Sequence, residues 1–327
     1  MKYSNSLAAV GCVLALSACG GGGGGGGTGS TPVQTASLSG IAAADAPKAA
    51  SNVYMAGRLI GYSSVSLLDT VQGVSVAPES ISAVSPVLGL VRHAYNSTDA
   101  NLLTGATVSN SCTGGGTMTI DSTVRSQLTP TTGDTITITA FNCTESGTTT
   151  NGSLSVTVTG ATNSSLALDS RFNNFKLASG STADTLNGDM KFAIATTGSS
   201  DGTYAISGAS LQVTEQRSGA TAATMTLAPY SVTGTVNSTS LTEAANFSVS
   251  GNANGLGQYA YTVKNLQPFV SPSGILPTSG SLIVNGAASS VTATAVPNGV
   301  RVDYSANGDG VVTQTSTLSW GDFLNSF

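Results

Sequence analysis

Thr135-Ile136-Thr137-Ile138-Thr139-Ala140-Phe141 alternates hydroxyl and apolar side chains. Successive side chains of a strand point to opposite faces, so a period of two gives one wet face and one buried face. The same alternation occupies residues 117–120 and 153–159. Shorter strand candidates follow at 172–177, 189–195, 204–207, 209–214, 225–227, 230–236, 247–250, 259–263, 281–284, 291–295, 300–305 and 311–318. Asn-Gly at 151, 187, 285, 298 and 307 and Asp-Gly at 201 and 309 read as turns between them. No helical period separates the strands, so hairpins connect them and the sheet is antiparallel. The expected fold is mainly β, a large twisted antiparallel sheet over residues 104–327 that can curve toward a half-barrel.

Residues 36–103 read differently. The alanine-rich stretch 42–71 sets Val53, Ala56, Ile60, Ser64, Leu67, Leu68 and Val71 at helical spacing. Pro47 suits an early helical position, and Asp45 before it suits a cap. A second helix is expected over 80–95, kinked or starting late at Pro86, with Leu88, Val91, His93 and Tyr95 in its later half. This helical region should cover one apolar face of the sheet, because Ile60, Leu67, Leu68 and Val71 have no other place to be buried.

Composition agrees with an exported β protein. Only 8% of residues are charged and 40 are glycine, so polarity comes from Ser and Thr. Scarce Glu and Lys argue against long exposed helices. The formal net charge of −5 and the lack of any Lys/Arg cluster count against a nucleic-acid partner. Asn96-Ser97-Thr98 and Asn237-Ser238-Thr239 match the glycosylation pattern and read as polar loops. A weak echo links Gly-Ser-Leu-Ser-Val at 152, Gly-Asp-Met-Lys-Phe at 188 and Gly-Ser-Leu-Ile-Val at 280. Phe141-Asn142 and Phe172-Asn173 stand before the first two. Shared turn-to-strand grammar and duplication both account for it.

Cys112 and Cys143 form an even pair in the exported part of the chain and read as a disulfide. Pairing residues 117–120 with 136–138 uses residue sums near 255, the sum of 112 and 143, so the bridge should clamp the open end of a hairpin. Zinc is the rival, but two cysteines without a nearby histidine cannot complete four ligands. No cofactor is implied.

Catalytic signals are sparse. His93 is the single histidine, and no Gly-x-Ser-x-Gly elbow stands in a strand-to-helix context. Asn307-Gly308-Asp309-Gly310, with Asp303 upstream, offers oxygens for a cation but lacks the rest of a calcium loop, so it reads as a hairpin turn. Asp121 and Asp134, around Arg125, read the same way. The terminal Phe327 resembles the end of an outer-membrane barrel, but Gly321-Asp322 breaks that strand and aromatics are only 6%. The chain is expected not to be an enzyme.

The N-terminus carries the addressing information. Lys2, an apolar run over 7–16 and Leu16-Ser17-Ala18-Cys19 form a secretory signal too short to span a bilayer as a helix. The segment resembles the lipobox of bacterial lipoproteins. That resemblance implies lipidation of Cys19 and, with Gly20 rather than Asp next to it, sorting to the outer membrane. Cys12 would be lost with the signal. Gly20 to Gly27 is unbroken glycine and serves as a flexible tether. The organisation is therefore a signal peptide at 1–18, lipidated Cys19 and tether at 19–35, a helical region at 36–103 and the β domain at 104–327.

Taken together, the LSAC-polyglycine start, the cysteine pair around Gly-Asp-Thr-Ile-Thr-Ile, the Asn-Gly-Ser-Leu segment and the Gly-Asp-Gly…Trp320 tail resemble uncharacterised β-rich lipoproteins of proteobacteria. The resemblance implies a fold and an anchor and supplies no catalytic residues. The functional expectation is a non-enzymatic binding or structural module of the cell envelope, held to the membrane by lipid, with an envelope protein, glycan or lipid as partner. The alternative is a carrier holding a lipid or other hydrophobic ligand between helix and sheet.

Overall fold

The computed structural model describes residues 37–61, 83–84, 87–89, 105–125, 129–145, 147–198, 201–217, 222–253, 255–272 and 276–326. Cys19, the glycine run, Leu67, Leu68, Val71, His93, Asn96 and Phe327 lie outside them, as does most of the second expected helix.

Among the described residues, fifteen strands form one antiparallel sheet. They are β1 (Ala106–Ser111), β2 (Thr117–Ser122), β3 (Thr135–Glu145), β4 (Thr148–Ala161), β5 (Ser165–Ser179), β6 (Thr182–Thr196), β7 (Gly202–Gly208) and β8 (Leu211–Arg217). The series continues with β9 (Ala223–Val236), β10 (Ser240–Ala253), β11 (Gly257–Pro272), β12 (Ser279–Gly286), β13 (Ser289–Val296), β14 (Gly299–Ser305) and β15 (Gln314–Ser319). Each strand candidate read from the sequence falls on one of these. β7 and β8 lie end to end between β6 and β9, β7 against residues 191–196 of β6 and β8 against 182–188. They act as one interrupted strand, so the whole sheet is a meander in which sequence neighbours are spatial neighbours.

Two readings need correction. Asn151-Gly152 and Asn187-Gly188 are not turns; they sit inside β4 and β6. There they face bulges in the adjoining strands, where register slips between Ala140 and Cys143 and between Phe172 and Phe175. The bulged Asn142 and Asn174 both have φ of +47°, and their N–H groups donate to Asn151 Oδ1 and Asn187 Oδ1 at 2.8 and 2.7 Å. Gly152 is obligatory at its position: φ is +85°, and a Cβ would stand 2.0 Å from the Asn174 carbonyl oxygen. The echo is thus a repeated bulge, and its second asparagine is Asn174 rather than Asn173. Similarly, 225–227 and 230–236 are one strand, β9, which passes through Pro229 where the ladder to β10 slips. Pro229 is tolerated because a bulge releases the residue from donating to the ladder.

Helix α1 (Ala46–Gly61) buries Ala49, Ala50, Val53, Ala56 and Ile60 against the sheet. It packs on β9, β10, β12, β13 and β14, so the expected helical cover of an apolar face is present. Burying each of Val53 and Ile60 contributes about 1.5–3 kcal/mol. Ala83, Val84, Val87 and Leu88 are buried in the same core, and the Ala83 N–H donates to the Leu59 carbonyl. The C-terminus turns into α2 (Trp320–Leu324), capped by Ser319 Oγ, which accepts the Asp322 N–H at 3.1 Å. Trp320 and Phe323 meet Tyr54 of α1 at ring separations of 5.4 and 5.8 Å, and Phe269 of β11 completes the cluster. Before α1, residues 37–41 strap onto the sheet. Ser39 exchanges hydrogen bonds with Ala260 and accepts the Ala287 N–H at its carbonyl, the Ile41 N–H donates to Ser289 Oγ, and Tyr304 Oη donates to the Ile41 carbonyl.

Candidate functional site

Cys112 and Cys143 are joined, with an S–S distance of 1.98 Å and Cα atoms 5.4 Å apart. The register differs from the expected sum: Thr117 faces Phe141 and Ile120 faces Ile138, both summing to 258. Residues 112–116 form the turn between β1 and β2, and the bulge at Asn142 shifts Cys143, which together bring the sulfurs into reach. The bridge closes a small cluster of its own with Ala140. Beside it, Thr113 donates its N–H and its hydroxyl to Glu145 at 2.8 and 2.7 Å. Those bonds hold the exposed Glu145 carboxyl below its usual range. The sulfurs and the carboxylate lie within 4.8 Å of one another, but the disulfide leaves neither sulfur as a thiolate to bind a metal.

The other acidic candidates are engaged in structural bonds. Asp309 Oδ1 accepts from the Val311 N–H and then Ser305 Oγ, which holds its carboxyl low. Asp303 accepts from Arg301 and from Thr315 Oγ1. Asp121 accepts from Thr107 Oγ1, and Asp134 accepts the Thr131 N–H. Asn237 Oδ1 collects the N–H groups of Thr239 and Ser240 in the β9–β10 turn, as a polar loop should. Asp184 and Glu215 face each other across β6 and β8. Burial and then the Glu215 charge raise the Asp184 carboxyl, while Arg217 holds Glu215 at 2.5 Å.

A perturbed constellation lies under the end of α1, on residues the sequence did not single out. Tyr204 of β7 faces Gly234 of β9, whose next neighbour is Glu243 of β10. A Cβ on Gly234 would fall 2.2 Å from the Tyr204 ring, so the glycine lets the ring lie flat across β9. Tyr204 Oη then donates to Glu243 Oε2 at 2.5 Å. A second crossing of opposite sense sits on the same ladder: Tyr230 of β9 lies over Gly208 of β7 and donates to the Asp189 carbonyl at 2.6 Å. Asp189 also gathers the N–H groups of Ala209 and Ser210 where β7 breaks into β8.

Glu243 turns its carboxyl inward although part of the residue stays accessible. Burial pushes that carboxyl up to about 7, against the Tyr204 hydroxyl and the Arg58 charge, which both favour the ionised form. Arg58 itself lies over the Tyr54 ring at 5.9 Å. Chemically, the group can exchange a proton near neutrality at a junction of helix and sheet. A signal for it existed in the sequence: Glu243 shares strand parity with Leu241, placing a carboxylate on the apolar face. Comparison with family models, curated proteins and solved structures finds no match to this chain.

Proposed function

We propose that this chain is a lipid-anchored module of the cell envelope, tied through Cys19 to the outer membrane and acting by non-enzymatic binding or as surface structure. The observation that supports this reading is the sheet's outward face. Thr135, Thr157, Asp169, Lys191, Ser207, Ser231 and Asn246 form one polar row across β3 to β7, β9 and β10. Neighbouring hydroxyls satisfy one another, as Thr137 and Ser155 do at 3.1 Å and Thr123 and Thr135 at 2.8 Å. Such a face presents hydrogen-bonding groups in fixed register, with the Asp169 and Lys191 charges paired at 3.8 Å, which suits a neutral polar partner such as a glycan or a protein surface.

A carrier role has one observation in its favour. The Ser51 hydroxyl and the Asn52 carbonyl oxygen, neighbours on α1, are buried without a hydrogen-bond partner, and the polar group of a ligand held between helix and sheet would satisfy them. Native mass spectrometry of the protein purified from its own envelope tests both readings. A retained glycan or protein supports the module, and a retained lipid replaces it with the carrier. Reproducible turnover of an envelope glycan, abolished by one Asp substitution, overturns both. Replacing Cys19 with Ala should release the protein from membrane fractions, and unchanged palmitate labelling of that variant refutes the anchor.

A further inference from the structure

The end of α1 rests directly on a carboxyl group. A Cβ built on Gly61 would stand 2.4–2.8 Å from Glu243 Oε2, Cδ and Oε1, so in this arrangement the carboxyl packs directly on the glycine and a larger residue would displace it. Packed on the Gly61 backbone, the carboxyl is shielded from water, which disfavours its ionised form. The β10–β11 ladder slips between Glu243 and Phe247, while the β9–β10 ladder runs unbroken from Leu241 to Phe247. Among the described residues, four neighbours can be named. Tyr204 faces the carboxyl from β7 and Arg58 reaches it from α1, while the facing residues of β9 and β11 are Gly234 and Phe269.

We propose that Glu243, Tyr204 and Gly61 form an acid-tightened latch: protonated Glu243 packs against the end of α1, and ionised Glu243 loosens that end from the sheet. The raised carboxyl supports this geometry. With its value near 7 in the closed state and the ordinary 4.5 when open, the added stability is fully present below 4.5. It declines as pH rises and is gone above about 7.

Hydrogen exchange of the full chain, read on peptides covering residues 55–61 and corrected for intrinsic rates, tests the latch. Opening of this segment should increase about twentyfold from about pH 5.5 to about pH 7.5. Glu243→Gln should flatten the response. Tyr204→Phe, which removes a donor to the ionised form, should move the midpoint upward. Fluorescence of Trp320, packed on Tyr54 in the same helix, should stay constant and separate local loosening from unfolding. A flat wild-type profile or an unaltered response in Glu243→Gln overturns the proposal. If Glu243→Gln fails to fold, the Tyr204→Phe midpoint and infrared titration of the wild-type carboxyl decide: an unmoved midpoint, or titration near 4.5, overturns it.

Discussion

The corner made by β1, β2 and β3 and the half of the sheet under α1 are built from the same hydroxyl-rich strands but are held in different ways. Under α1, Tyr54, Phe269, Trp320 and Phe323 enclose one another, and strands β9 to β14 lend apolar side chains to a helix that gives back its own. In the corner, Ile120 and Ile136 join the main core, but the end beyond them has only Cys112, Ala140 and Cys143 in a separate cluster, with Met118 and Ile138 leaning on it. Where apolar volume is plentiful, packing decides the structure. Where it is scarce, a covalent bond and hydrogen bonds to Glu145 take over. The contrast makes the disulfide a local device and the aromatic cluster a global one.

Removing an aromatic anchor should break the helix-covered half most severely. Phe323→Ala leaves a cavity beside the buried Tyr54 and Trp320 rings and should cost about 3–5 kcal/mol, read as a lower midpoint in denaturant titration with α1 losing protection. Replacing both Cys112 and Cys143 with Ala should come next. Closing this loop is worth roughly 3–4 kcal/mol in the chain-entropy model. Exchange should rise in β1 and the ends of β2 and β3 while α1 stays protected. Uniform loss across both regions would mean that the corner and the helix-covered half unfold together.

Gly152→Ala should cost less, about 1–3 kcal/mol, through backbone strain and contact with the Asn174 carbonyl. Its effect should centre on β4 and β5, between the two regions, and thermal unfolding measures it. The smallest change belongs to Glu145→Gln. Because the carboxyl is held below its unfolded value, its contribution exists above about 4.5 and fades as pH falls through the folded value. The Thr113 amide should therefore lose protection in wild-type protein on acidification, and Glu145→Gln should show that weaker protection at every pH. This direction is opposite to the one expected at Glu243.

The β pattern was legible because alternation in stretches such as residues 135–141 records which side chains face the core. Strand β1 was not, since Ala-Thr-Val-Ser-Asn-Ser at the sheet's edge has little apolar face to show. Asn151-Gly152 and Asn187-Gly188 misled because the same dipeptide that permits a tight turn also permits a glycine opposite a bulge. The disulfide partners were readable from their number, but their register was not, because the turn and the bulge add residues that no alternation reveals. Glu243 was visible only as a parity violation. Its meeting with Tyr204, 39 residues away, depends on the Gly234 crossing and on where α1 ends.

The packing of α1 on β9 to β14 also sets an order of events during synthesis. The helix is among the first elements made, yet its first partner strand begins at Ala223 and its C-terminal aromatic partners come at Trp320 and Phe323. At ordinary elongation rates of about 5–20 residues per second, that gap leaves the helix without those partners for roughly 10–50 s. The meander can zip hairpin by hairpin from β1 onward, since each new strand finds its mate already beside it. An apolar helix face must meanwhile wait for the far end of the chain. The nascent protein should be most exposed to capture by holdase chaperones, or to self-association, in the interval before β9 emerges.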